Sequence, residues 1–343
     1  MPVQITRRGL LWAAAGSLRA GQAPAPKSVV SLVHGEDRRR NVHDALAAID
    51  DRLRPALQRK KYVLIKPNCV AVKYQLGSTH ADALRGILDY VVPRFKGPIV
   101  IADSSRDETH DAFDNFLYNR VAAEYRERKI ALVDFNDEPR VEPFEILDRD
   151  LHAVPVRLAA RLFDPDAFVL GAAILKAHDN VVATLAVKNL VMAAPLHSLP
   201  KDPQRWHDKS RYHQGYRQIQ FNLFLTAKKM RPFWGAAVID GYEGLEGNGP
   251  LNGDPVASRV AIASTDLVAA DRIGVETMGI NPEWMGYLRY CAQAGLGEFD
   301  RERIELRGGV AVESVRKTYK LHRLIDKQLE WMGPLAPAAQ KKT

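Results

Sequence analysis

The sequence predicts a doubly wound, mostly parallel α/β sheet with helices on both faces. Three observations carry this. Short unbroken apolar runs recur along the chain, each closes on a polar cluster or a proline, and segments with helical spacing of apolar residues lie between them. Val29-Val30-Ser31-Leu32-Val33 opens the body, and Asn41 to Leu53 follows with helical spacing. Tyr62-Val63-Leu64-Ile65 stops at Lys66-Pro67-Asn68, as a strand buried on both faces does. His80 to Tyr90 reads as a helix and Pro98-Ile99-Val100-Ile101-Ala102 as a second buried strand, ending in Asp103-Ser104-Ser105. Residues 111–127 read as a helix and Ile130 to Asp134 as a third strand. Ala167 to Ala172, Trp234 to Ile239 and Val260 to Ser264 continue the strands, with helices at Val181 to Met192 and Leu267 to Met278. Between 195 and 220 a shift to Pro, His, Lys, Arg, Trp and Tyr predicts a long inserted polar loop. Residues 313–332 place Leu321, Leu324, Ile325, Leu329 and Met332 on one stripe, which predicts an amphipathic C-terminal helix docked on the body. Contact of that helix with a membrane surface is the alternative.

Composition narrows the function classes. The chain has 343 residues, 46% hydrophobic and 26% charged, which is ordinary globular usage. The net charge of +8 sits at the ends: residues 1–25 hold Arg7, Arg8 and Arg19 with no acid, and residues 316–343 hold a basic tail. The body from 26 to 315 is formally neutral, which argues against a nucleic-acid groove. Two cysteines, Cys69 and Cys291, are too few to hold an iron–sulfur cluster. Cys69 reads as a small buried residue rather than a nucleophile, because no sequence neighbour lowers its pKa.

Thr6-Arg7-Arg8-Gly9-Leu10-Leu11, a weakly apolar stretch and Ala20-Gly21-Gln22-Ala23 resemble a twin-arginine export signal. A frayed basic N-terminus is the plainer alternative. The export reading divides the chain into a signal at 1–25, an α/β domain at 26–312 with an optional lobe boundary near 150–165, and a C-terminal helix with its basic tail at 313–343. It places the mature protein in the periplasm or otherwise outside the cytoplasm, with the twin-arginine translocase as its partner during export. Membrane contact is then limited to the signal or the C-terminal helix.

In open α/β sheets ligands collect beyond the carboxyl ends of the strands, so polar residues directly after apolar runs are the first candidates. Lys66 with Asn68, Asp103 with Ser104, Lys176 with His178, and the Asp240 to Pro250 segment all qualify. Thr184 and Lys188 share a helical face if 181–192 is a helix, and Lys188-Asn189 interrupts an otherwise apolar run. These residues suggest a pocket in which Lys66, Asn68, Ser104, Thr184, Lys188 and Asn189 hold a small anion. His178, with Lys176, Glu243 and Glu246, would move protons in that pocket. Asp240, Glu243 and Glu246 also offer oxygen ligands to a hard divalent ion on a glycine-rich cradle. The plain alternatives are strand-end caps, a solvated Lys188 and a glycine-rich surface turn. His197, His207 and His213 match no compact zinc spacing, and no Gly-x-Ser-x-Gly elbow is present.

From about 60 to 308 the ordered set resembles the family catalogued as domain of unknown function 362. It comprises Lys66-Pro67-Asn68, Lys176-Ala177-His178, Thr184, Lys188-Asn189-Leu190, His213, Asp240-Gly241, Glu246-Gly247-Asn248-Gly249-Pro250, Gly253, Asp266, Asp271, Gly279, Gly295-Leu296-Gly297 and Ile304-Glu305-Leu306. The resemblance adds His213 to the substrate-binding candidates and implies frequent export signals; it marks where a site lies without naming its chemistry. Two classes of function remain: an exported enzyme using acid/base chemistry on a small anion, as a racemase, epimerase or lyase does, or a non-catalytic binding or cofactor-maturation protein using the same pocket.

Overall fold

The computed structural model describes residues 26–199 and 201–334. The proposed export signal lies outside them. Twelve strands are described: β1 (Ser28–His34), β2 (Tyr62–Lys66), β3 (Ile99–Asp103), β4 (Ile130–Asp134), β5 (Val141–Leu147), β6 (Ala153–Ala159), β7 (Ala167–His178), β8 (Val182–Thr184), β9 (Trp234–Asn248), β10 (Asn252–Val256), β11 (Val260–Ser264) and β12 (Ile304–Arg307). The helices are α1 (Arg38–Ala47), α2 (Asp50–Leu57), α3 (Ala81–Val91), α4 (Thr109–Asn115), α5 (Tyr118–Glu124), α6 (Ala186–Val191), α7 (Tyr216–Met230), α8 (Leu267–Thr277), α9 (Gly286–Gln293), α10 (Val312–Val315) and α11 (Ile325–Gln328). No described helix is long and apolar enough to cross a membrane.

The main sheet runs β12-β1-β11-β9-β7-β2-β3-β4, with β10 added on β9 and β8 on β7; β5 and β6 pair separately. Neighbours from β9 through β7, β2 and β3 to β4 are parallel, whereas β11 runs antiparallel to both β9 and β1. Strands on either side of residues 150–165 pair directly, β2 with β7, so one sheet spans both halves of the sequence.

Why the apolar runs are unbroken is visible in the packing. Along β2 and β3, Val63, Ile65, Ile99 and Ile101 enter one core with α1, α3 and α5, while Leu64, Val100 and Ala102 enter the other with α6, α7 and α8. A strand covered on both faces must be apolar at every position. From β2 the chain proceeds through β3 to β4 on one side and returns in β7 on the other side of β2. The carboxyl ends of β2 and β7 therefore flank a topological switch point, where an open sheet leaves a crevice.

Several sequence expectations are corrected. The 181–192 stretch is a strand, β8, followed by the shorter α6. Val182 takes a left-handed φ of +67° and turns the chain back, so that Val182 pairs with His178 and Thr184 with Lys176. The helix starts only where Asp271 accepts the Ala186 N–H at 2.6 Å and the Val187 N–H at 3.1 Å. The 111–127 helix is broken at Leu117, whose φ is +63°. The 195–220 segment is packed rather than a free polar loop: Asp208 accepts Arg157 N at 2.8 Å, the buried Tyr212 hydroxyl pairs with Thr226 at 2.8 Å, and α7 begins at Tyr216.

The 313–332 stretch is not one helix. It forms α10, an extended run and α11, leaving Leu321 and Met332 exposed. The extended run finds better partners on the body than in a helix ladder, since Lys317 N and Tyr319 N each donate at 3.0 Å to the Thr277 and Met278 carbonyls. Asp240 to Asn248 is likewise no cradle loop but the continuation of β9. Gly244 in it and Gly249 just after it serve close packing: a Cβ on Gly244 would collide with the Tyr319 hydroxyl, and one on Gly249 with the Ala177 carbonyl.

Candidate functional site

At the switch point lies a cleft of about 800 Å³. Lys66, Asn68, Ser104, His178, Thr184, Lys188 and His213 line it, joined by Asp103, Lys209, His322 and the Asn248–Asn252 turn. Each β-strand end contributes through the fold described above: Lys66 closes β2, Asp103 closes β3 and His178 closes β7.

A hydrogen-bonded floor fixes the deep end. Lys66 Nζ donates to Asn189 Oδ1 at 2.7 Å and stands 3.3 Å from Asp103 Oδ1, with both ionic side chains buried. Asn68 Nδ2 donates to the same Asn189 oxygen at 2.7 Å. Lys176 Nζ donates to Asn68 Oδ1 at 2.5 Å and to the Gly77 carbonyl at 2.7 Å. Lys176 and Asn189 are fully buried behind the lining residues. They orient Lys66 and Asn68 from behind.

Lys188 is different. It is 5% exposed, lines the cleft from α6, and has no hydrogen-bond or ion-pair partner among the described residues. Burial pushes its pKa down to about 8, opposed by the Asp179 charge and aided by that of Lys66. Lys209 donates to Ser104 Oγ at 3.1 Å and also to the Met192 carbonyl; burial pushes its pKa down to about 7. Burial first, then the Lys188 and Lys66 charges, holds Lys176 well below an ordinary lysine. Thr184 Oγ1, also on the lining, is buried without a partner. An unpaired ammonium and an unpaired hydroxyl thus face one cavity.

His178 is kept neutral, first by burial and then by Lys188 and His213. Its Nδ1 lies 3.0 Å from the Asn180 N–H and 3.0 Å from Asp179 Oδ1. In the neutral ring Nδ1 accepts from Asn180 and the proton sits on Nε2; a protonated ring would donate to Asp179 instead. The ring therefore has a defined partner in each protonation state. His213 stands 6.2 Å from it, centroid to centroid.

The structure does not bring Asp240, Glu243 and Glu246 into the cleft. Arg38 stands 3.3 Å from Asp240 and 4.0 Å from Glu243, while Glu246 accepts Lys320 N at 2.8 Å. Asp240 and Glu246 thus each have a partner, and all three carboxylates stand outside the cleft that His178 lines. Among the described residues the His/Asp group whose ligand atoms lie within 4.8 Å of one another is His110, Asp134 and Asp137, outside the cleft, with Asp134 buried and the other two exposed. Cys69 is buried, and burial raises its thiol pKa. Sequence reading missed Lys209 and His322: the first sits in a polar, loop-like stretch and the second on a stripe that mimics a helix, and neither follows an apolar run.

The model of the family described as Domain of unknown function (DUF362) matches residues 63–276, more than half of the chain. The chain belongs to this family. The match takes in every lining residue from Lys66 to Asn252 and stops before His322. A thylakoid-associated protein of Synechocystis sp. is 31% identical over 129 residues, a stretch that covers 37% of this chain and 37% of that protein. A solved protein from Thermotoga maritima aligns over 65% of this chain and 55% of its own at 8% identity and a TM-score of 0.35. A loganic acid methyltransferase aligns over 88% and 75% at 12% identity and a TM-score of 0.25.

Proposed function

We propose that this DUF362 protein is an exported enzyme that binds a small anion in the switch-point cleft and moves a proton on it through His178. The observation that carries the reading is Lys188, a buried ammonium with no partner of its own beside Thr184 and His178. An unpaired buried cation costs stability unless something neutralises it, and a ligand carboxylate or phosphate would do so. His178, with its two alternative partners, supports proton transfer at a carbon next to the anionic group. Lys66 and Asn68, held from behind by Asn189 and Lys176, would fix the anion's orientation.

Non-catalytic capture of the same anion is the second reading, favoured by the prior engagement of the cleft's carboxylates: Asp103 is held by Lys66, Cys69 N and Ser104 N, and Asp179 stands 3.0 Å from His178 Nδ1. Purified protein in heavy water, mixed in turn with 2-hydroxy, 2-amino and phosphorylated carboxylates, separates the two. Loss of a carbon-bound proton signal from one of them supports the enzyme. Binding without exchange for every compound leaves the capture reading and ends the catalytic one.

Export is part of the proposal. Residues 1–30 fused to a reporter are expected to deliver it to the periplasm, and Arg7→Lys with Arg8→Lys to hold it inside. Delivery that survives the double substitution would overturn the twin-arginine reading.

A further inference from the structure

The cleft is closed on one side by a segment that follows the family-matched residues. From Lys317 to Met332 the chain crosses the ends of β7 and β9 as a strap. Gly247 N donates to the Lys320 carbonyl at 2.8 Å, and Lys320 N donates to Glu246 at 2.8 Å. His322, Arg323 and Leu324 line the cleft. Further along, the side chain of Gln328 is fully buried, and its Oε1 accepts the Val182 N–H at 2.6 Å.

Val182 is the residue that turns β7 back into β8, and its left-handed φ of +67° is one that β-branched side chains avoid. A buried N–H needs an acceptor, and that of Val182 finds one from elsewhere in the molecule. Gln328 supplies it. The same turn sets Val182 opposite His178 and Thr184 opposite Lys176, and its Asn180 N–H is the one His178 Nδ1 accepts.

We infer that Gln328 is a positioning residue: its bond to Val182 N fixes the β7–β8 turn that presents His178 and Thr184 to the cleft. The strap that contributes His322 and Arg323 to the lining thereby sets the geometry of the opposite wall, and the two form as one unit. The inference rests on the anion-cleft reading of the site, and goes beyond it by making a segment outside the family-matched residues part of the machinery.

The test uses the full chain with ¹³C-labelled histidine Cε1 atoms, comparing the wild type with Gln328→Met, which keeps the volume without a strong acceptor, and Gln328→Glu, which keeps an acceptor. In the methionine variant the His178 resonance and its pH titration are expected to move, while the resonance of His110, exposed and paired with Asp137, stays put. Affinity for inorganic phosphate is expected to fall about tenfold. The glutamate variant is expected to restore both. A folded methionine variant with an unmoved His178 resonance and unchanged phosphate affinity would overturn the inference, as would equal losses in both variants, which would make Gln328 a packing residue. If the wild type itself fails to bind phosphate, the anion-cleft reading fails, and the His178 resonance alone decides the role of Gln328.

Discussion

Lys188→Met is expected to abolish anion binding and, at the same time, to raise the stability of the ligand-free protein. The sign follows from the depressed pKa. In the unfolded chain Lys188 titrates near its ordinary value of 10.5, and in the folded chain at about 8. Below pH 8 the amine is charged in both states, and the full cost of burying an unpartnered ammonium weighs against folding. Between pH 8 and 10.5 the folded state sheds its proton first, so the unfolded state holds more protons and stability rises with pH. The rise attributable to this group is on the order of 3 kcal/mol. Lys209 adds a similar slope that begins lower, near pH 7, so the quantity to measure is the difference between wild-type and variant unfolding free energies across pH 6–11. That difference is expected to shrink as pH rises, and to shrink as well when inorganic phosphate is added to the wild type at pH 7. A variant that binds phosphate as before and melts earlier at every pH would make Lys188 a structural lysine.

Asp271→Ala is expected to be the most destabilising single substitution near the site, by about 2–4 kcal/mol. The side chain is fully buried and holds the Ala186 and Val187 amides that start α6, the helix that carries both Lys188 and Asn189. Removing it leaves two buried N–H groups without acceptors, and burial already pushes its own carboxyl well above the ordinary range, so the site has no solvent to substitute. Asp271→Asn keeps one acceptor and is expected to lose roughly half as much. Urea denaturation of the three proteins measures this directly. Parity between alanine and wild type would mean that α6 starts without the cap.

These two residues show how far sequence alone reaches. Lys188 could be singled out because a charge inside Val187-Lys188-Asn189-Leu190 breaks an apolar run, and charge against apolar context is a local signal. Lys66, Asn68, Ser104 and His178 were legible for the same reason: each directly follows a run that a doubly covered strand must have. The task of Asp271, by contrast, is set by residues 85 positions away, and nothing in Ala269-Ala270-Asp271-Arg272 announces it. The carboxylates of β9 misled because glycines and acids in alternation read as a ligand loop, whereas Gly244 admits the strap at Tyr319 and Asp240 and Glu246 meet Arg38 and Lys320. The reading of 313–332 as one helix failed in turn, because backbone bonds with Thr277, Met278 and Gly247 hold Lys317, Tyr319 and Lys320 in an extended run, and helical structure resumes only at Ile325. The fold class was legible from local patterning; the strap, the turn at Val182 and the Lys209 wall are long-range features that no window along the chain contains.

The place of β1 has a consequence for biosynthesis. It is among the first strands made, yet its two neighbours in the sheet are β11 and β12, and the Ser264 hydroxyl bonds the Val29 carbonyl across 235 residues. While the ribosome is still working toward residue 307, β1 and the growing β9 edge are bare, with exposed backbone groups that invite pairing with other chains. Contacts of such sequence separation are also slow to find. The sheet can close around β1 only once residue 307 has been made, so until then the backbone edge of β1 stays open to pairing with other chains.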